Sequence, residues 1–280
     1  MKILVTGAKG MLAHDLIPVL REGHDIIAPA EEDLDITRRD VVHQAMRENS
    51  IDLVVNCAAY TQVDKAEEER GKAFLVNGLG VQNLALVCQD RGIPLCHIST
   101  DYVFDGTKAT PYTPFDNTNP INAYGESKLA GEKYIQWIMN KFYIVRTSWL
   151  YGKNGSNFVS TILRLAREKQ KLEVVNDQRG SPTSTLSLSR GINKLIESGA
   201  YGIYHFTDDT GGGISWYDFA GEIIRQSGSR TGVLPTTTDR FPRPAKRPSN
   251  SVLDISLFAA VTGYHPVPWK GALEEYLGQG

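Results

Sequence analysis

The chain has 280 residues, enough for one large α/β domain or for one domain with a smaller companion. Its 30 basic and 32 acidic residues nearly cancel, which argues against nucleic acid or an anionic membrane as partner. No apolar run approaches the roughly 18 residues of a membrane span, and Met1–Thr6 lacks a signal peptide's apolar region and cleavage site. Cys57, Cys88 and Cys96 fall within apolar patterns and read as core thiols, and no histidine sits at metal-ligand spacing from them. A cytoplasmic protein without a metal is the expectation.

Residues 2–6 form a short Ile-Leu-Val run, as expected of a strand buried on both faces. Gly7, Ala8, Lys9, Gly10, Met11, Leu12 and Ala13 follow, and a helical pattern then runs through Leu16, Ile17 and Leu20 to Gly23. A glycine-rich turn between a first strand and a first helix lets the backbone approach a pyrophosphate. The helix N-terminus then supplies N–H groups and a positive dipole. A second strand, Asp25 to Ala28, leads into Ala30, Glu31 and Glu32, close to where an acidic residue binds an adenosine ribose. Lys9 or Arg38 could instead accept a 2′-phosphate. Asp35 and Ile36 are placed to flank an adenine ring, or to precede the helix Val41 to Met46 as part of its cap region.

Ile51 to Cys57 reads as the third strand, with Ala58, Ala59 and Tyr60 at its C-terminal end, where small residues let the backbone pass close to a cofactor. Val63–Glu67 are expected to lead into a long helix running to about Arg91. Within it, Asn77 reads as a core asparagine bonded to backbone, in preference to a substrate contact. Ile93 to Ile98 is the fourth strand and delivers Ser99, Thr100 and Asp101 to its end. After a Pro/Thr-rich loop, Pro120 reads as the start of a helix that places Tyr124 and Lys128 one turn apart on one face. A lysine beside a phenol stabilises the phenolate, and a hydroxyl, a phenol and a lysine around one oxygen suit carbonyl reduction or alcohol oxidation.

A fifth strand, Phe142 to Thr147, ends in Ser148, Trp149, Leu150 and Tyr151. Alternating strands and helices point to a doubly wound parallel sheet of Rossmann type. Later expectations are helices at Asn157–Lys169, Leu186–Glu197 and Trp216–Ser227, and a strand at Gly202–Thr207. Arg240, Arg243, Lys246 and Arg247 stand among prolines in a segment that cannot be a regular helix. Such a loop either clamps a diphosphate or is simply solvated surface. The domain expectation is 1–150 for dinucleotide binding and 151–280 mainly for substrate.

The ordered set of motifs resembles the extended short-chain dehydrogenase/reductases, and within them the dTDP-4-dehydrorhamnose reductase family, nearly end to end. Its stations are Thr6–Gly10, Asn56–Thr61, Val63–Glu67, Ser99–Phe104, Tyr124–Glu132, Arg146–Tyr151, Asn176–Thr183 and Arg247–Ser251. Ala13 and Ala30 depart from the family's usual glycine and acidic residue, which bears on cofactor grip and on NADH or NADPH choice. The resemblance implies reduction of a dTDP-sugar's 4-keto group by NADPH or NADH. Tyr124 would supply the proton, Lys128 would lower its pKa and bind the nicotinamide ribose, and Thr100 would hold the keto oxygen. Asp101 and Trp149 would line the sugar pocket, although Trp149 also reads as core, and Arg247 would meet the diphosphate. A homodimer is left open. A dehydratase of this superfamily needs a second acid after the threonine, where Tyr102 stands. A non-catalytic dinucleotide-binding regulatory subunit is the reading from another class.

Overall fold

Five strands carry the first half of the chain: β1 (Lys2–Thr6), β2 (Asp25–Ile27), β3 (Leu53–Asn56), β4 (Leu95–Thr100) and β5 (Phe142–Thr147). A sixth, Gly202–His205, joins beside β5, and every pairing in this sheet is parallel. The computed structural model describes residues 1–278. The strand at 202–205 lies at one edge and β2 at the other, in the order 202–205, β5, β4, β3, β1, β2. Chain order reverses between β1 and β3, so the crevice at their carboxyl ends is where a doubly wound sheet collects a ligand.

Successive side chains of β1 point to opposite faces, and both faces are covered. Ile3 and Val5 pack under α1 (Met11–Arg21) and the helix Thr185–Ser198, while Leu4 joins α2 (Arg39–Glu48) and α4 (Val81–Arg91) on the other side. The doubly wound sheet read from the sequence is the one formed. Thr185–Ser198 and the strand 202–205 return to this unit after residue 150, with the Thr185 hydroxyl donating to the Asp15 carboxylate on α1. Tyr151, Val159, Ile162, Phe219, Ile223, Trp269 and Leu273 form a separate core. It draws on the helices Phe158–Glu168, Trp216–Ser227 and Trp269–Gly278 and on the parallel pair Lys171–Val175 with Gly232–Thr236.

The helix expected up to Arg91 is interrupted. α3 (Arg70–Phe74) passes through a π-helical turn, Leu75–Gly80, before α4. Across that turn Leu75 and Leu79 face outward and stay exposed. Asn77 points inward, where its Oδ1 accepts from the Tyr60 N–H and its Nδ2 donates to Tyr60 O and Ser127 Oγ. Asn77 is thus the backbone-bonded core asparagine expected. α5 (Ala123–Ile138) begins three residues later than Pro120 suggested, because Asn122 caps it by accepting from the Gly125 N–H at 2.8 Å.

Buried beside this helix is a charge cluster. Glu132 on α5 accepts from Arg146 Nε at 3.0 Å and Nη2 at 2.7 Å and from the Ser99 hydroxyl, with the two charged side chains 0 % and 3 % exposed. The guanidinium also lies over the Phe104 ring and 3.3 Å from His205 Nε2.

Candidate active site

β4 ends at Thr100, and α5 returns Tyr124 and Lys128 to the same end of the sheet. All three line a cavity of about 540 Å³, together with Gly10, Met11, Leu12, Ala59, Asp101 and Trp149. The structure therefore brings together nine of the residues singled out from the sequence.

The turn between β1 and α1 depends on Gly7, whose φ is +67° and where a Cβ would lie 2.6 Å from the Ala58 nitrogen. This glycine lets the turn pack on the end of β3. Gly10 stands at the N-cap of α1 with no side-chain cap, so the first helical N–H groups face the cavity where Met11 and Leu12 line it. That cradle of backbone donors, with Ala58–Tyr60 beside it, fits a dinucleotide's pyrophosphate.

Thr100 donates to Asp101 Oδ1 at 3.0 Å and accepts from the Tyr102 N–H at 3.2 Å. Ser99 is committed to Glu132, which leaves Thr100 as the strand-end hydroxyl beside Tyr124. Asp101 is 3 % exposed and its Oδ2 has no partner. Burial pushes this carboxyl up to about 7, with the neighbouring Ser251 and Thr100 hydroxyls pulling the other way. Burial also pushes the Tyr124 phenol up to about 12, with the Thr100 hydroxyl pulling the other way. The lowering expected from Lys128 does not act on this phenol, since the Lys128 Nζ is turned to the Ile98 carbonyl at 2.6 Å. Burial brings Lys128 itself down to about 8, opposed by Glu132. Tyr102 meets the Tyr124 ring edge-on, with centroids 6.0 Å apart. Gly125 permits this approach, because a Cβ there would sit 2.1 Å from the Tyr102 carbonyl oxygen.

Trp149 has φ +48°, the one positive value at a non-glycine residue among those described. It stacks on Trp216 with centroids 3.5 Å apart, against Gly180, where a Cβ would fall 2.4 Å from its ring. Trp149 and Trp216 both line the cavity that Tyr124 and Lys128 enter.

Other expected residues lie outside this lining. Lys9 pairs with Glu32 at the surface, and Arg38 pairs with Asp40. Asp35 accepts from the Thr37 N–H and hydroxyl in a local turn, and Ile36 is buried in the core; α2 starts at Arg39 without a side-chain cap, so Asp35 does not cap it. Arg247 donates to Asp64 at 2.7 Å and to the Ala245 carbonyl, so its guanidinium already has a carboxylate partner within the chain. Lys246 O accepts from Asn122, which ties the proline-rich segment to the start of α5. Tyr102, Cys57, Ser148 and Trp216 also line the cavity; the first three lie within the motif stations without an expected site role, and Trp216 lies outside them. Among the described residues there is no group of three or more His, Cys, Asp or Glu side chains placed to hold a metal, and no helix is long and apolar enough to cross a membrane.

The chain matches the RmlD substrate binding domain family over residues 1–280. It is 42 % identical over 277 residues to the spore coat polysaccharide biosynthesis protein SpsK of Bacillus subtilis, covering 99 % of this chain and 96 % of that one. It is likewise 42 % identical over 281 residues to a dTDP-4-dehydrorhamnose reductase of Streptomyces griseus, covering 97 % and 91 %. A crystal structure of dTDP-4-dehydrorhamnose reductase from Bacillus anthracis in complex with NADP superposes with a TM-score of 0.95 at 41 % identity, covering 100 % of this chain and 99 % of that one.

Proposed function

The chain belongs to the RmlD substrate binding domain family, and on that premise we propose that it reduces the 4-keto group of dTDP-4-dehydro-L-rhamnose, giving dTDP-L-rhamnose. NADPH or NADH supplies the hydride when bound. The observation that carries the reading is the convergence of Thr100, Tyr124 and Lys128 on one cavity beside the uncapped start of α1.

Thr100 is the donor that holds the keto oxygen as negative charge develops on it. Tyr124, held protonated at neutral pH by its burial, gives that oxygen its proton. Lys128 would stabilise the phenolate left behind, and meet the nicotinamide ribose, only by turning its Nζ away from the Ile98 carbonyl. Gly7, Gly10, Met11, Leu12, Ala58, Ala59 and Tyr60 hold the dinucleotide, with Lys9, Asp35 and Ile36 at its adenosine end. Asp101 and Trp149 hold the sugar. Arg247 reaches the diphosphate only by leaving Asp64. Residues 1–150 are read as the dinucleotide-binding part and 151–280 as mainly the substrate-binding part, with 185–205 returned to the first. Three free thiols, with Cys88 and Cys96 buried and Cys57 half-buried, support a cytoplasmic setting.

The test is the loss of reduced-nicotinamide absorbance with dTDP-4-dehydrorhamnose generated in place from dTDP-glucose. Substrate-dependent oxidation of NADPH or NADH is expected, and its absence with both cofactors rejects the assignment.

A further inference from the structure

Behind Lys128 runs a buried hydrogen-bonded chain that the proposed reaction does not use. Thr6 at the end of β1 donates to Asn56 Oδ1 at 2.6 Å, and the Ala58 N–H donates to the same oxygen at 3.1 Å. A backbone N–H can only donate, so this contact fixes which way the Asn56 amide points. Its Nδ2 therefore faces His97 Nδ1 at 2.9 Å and donates to it. His97 is fully buried on β4, and burial, with Lys128 beside it, holds it neutral. A neutral imidazole that accepts at Nδ1 carries its hydrogen on Nε2. That N–H lies 3.5 Å from Lys128 Nζ.

A donor aimed at a lysine nitrogen favours the amine, which can accept, over the ammonium, which cannot. We propose that Thr6, Asn56 and His97 are positioning residues that fix the His97 tautomer and so aim its Nε2–H at Lys128, favouring the amine form of that lysine. The other groups facing Lys128 are Glu132 on its own helix, already paired with Arg146, the Ile98 carbonyl that accepts from Nζ, and Cys57 after β3, a thiol that burial pushes up to about 12 and so keeps uncharged; the first two favour the ammonium. With burial, His97 opposes them. The inference rests on the reductase reading only for its effect on kcat. Its physical content stands without turnover.

The test is an NMR titration of Lys128 in the full chain without cofactor, together with the ring-nitrogen shifts of His97. Wild type is expected to show the Nε2–H tautomer and a lysine titrating near 8. Asn56→Asp keeps the acceptor for Thr6 and Ala58 but loses the amide donor, so His97 must put its hydrogen on Nδ1 and offer Nε2 to the ammonium. His97→Asn keeps an acceptor for Asn56 and removes the N–H facing Lys128 without adding charge. Both variants are expected to raise the lysine's titration by a unit or more, a tenfold change in proton affinity. In the reductase assay, the fall in kcat at high pH should move up with it. An Nδ1–H tautomer in wild type overturns the proposal, as does an unmoved Lys128 in His97→Asn, even if Asn56→Asp shifts it through its added charge. Absence of reductase activity with these shifts present would reject the function and leave the tautomer device standing.

Discussion

Glu132→Gln isolates the buried charge cluster, because it conserves volume and removes only the negative charge. Arg146 would remain 3 % exposed, over Phe104 and beside a histidine that burial and the guanidinium itself bring down to about 3. His205 therefore stays neutral near pH 7 and cannot replace the lost anion. An exposed pair of this kind would matter by about 1 kcal/mol or less. Removing one partner of a buried pair leaves an uncompensated charge and costs about 3–5 kcal/mol. For a chain of this length each kcal/mol moves Tm by roughly 2–4 °C, so a fall on the order of 10 °C is expected. Urea unfolding should show a lower midpoint with unchanged slope. A second variant carrying Glu132→Leu with Arg146→Met should recover most of the loss, since packed apolar groups can replace such a pair. A loss below about 1 kcal/mol for Glu132→Gln would refute the argument, because it would mean that water or another group already neutralises Arg146.

Tyr124→Phe should lower turnover by several orders of magnitude with cofactor affinity unchanged, read by single-turnover kinetics beside a cofactor titration; retained turnover would remove Tyr124 from its proton-donor role. Asp208→Asn should stabilise the fold increasingly between pH 5 and 7, checked by Tm at each pH. Burial pushes this carboxyl up to about 7, so the folded state keeps a proton that the unfolded state has shed, and wild-type stability drops as pH rises through that window. The gain should grow by roughly 2 kcal/mol across those two pH units, and equal gains at both ends would contradict the burial argument. Gly180→Ala should push the Trp149 ring aside and raise KM for the nucleotide sugar while leaving cofactor affinity in place. An unchanged KM would show that this wall is not part of the sugar pocket.

Much of the scaffold was legible because it is written in short-range chemistry. The apolar run of β1, the strand at 142–147 and the helix at 216–227 lie where their residue types put them. Asn77 could be read as a core amide because a lone asparagine inside an apolar pattern needs backbone partners. Boundaries slipped where a side chain outweighed a general preference, as when Asn122 rather than Pro120 fixed the start of α5. What the sequence withheld depends on groups far apart along it. Asp64 meeting Arg247, Trp149 meeting Trp216, and the orientation of Asn56 against His97 are contacts that no local spacing encodes. The rotation of Lys128 toward the Ile98 carbonyl is of the same kind, since the Tyr-to-Lys spacing fixes a shared face but not where each tip points.

The late return of residues 185–205 to the first sheet bears on how the protein is made. A ribosome releasing roughly 5–20 residues per second would expose five strands for several seconds before the sixth emerges to cover β5. During that interval the β5 margin offers unpaired backbone to any extended segment nearby, and Ile3, Val5 and α1 await the helix that screens them. Nascent chains stalled once β5 has left the exit tunnel but before the strand at 202–205 has emerged should therefore associate with holdase chaperones, whereas chains stalled after that strand has cleared the tunnel should not.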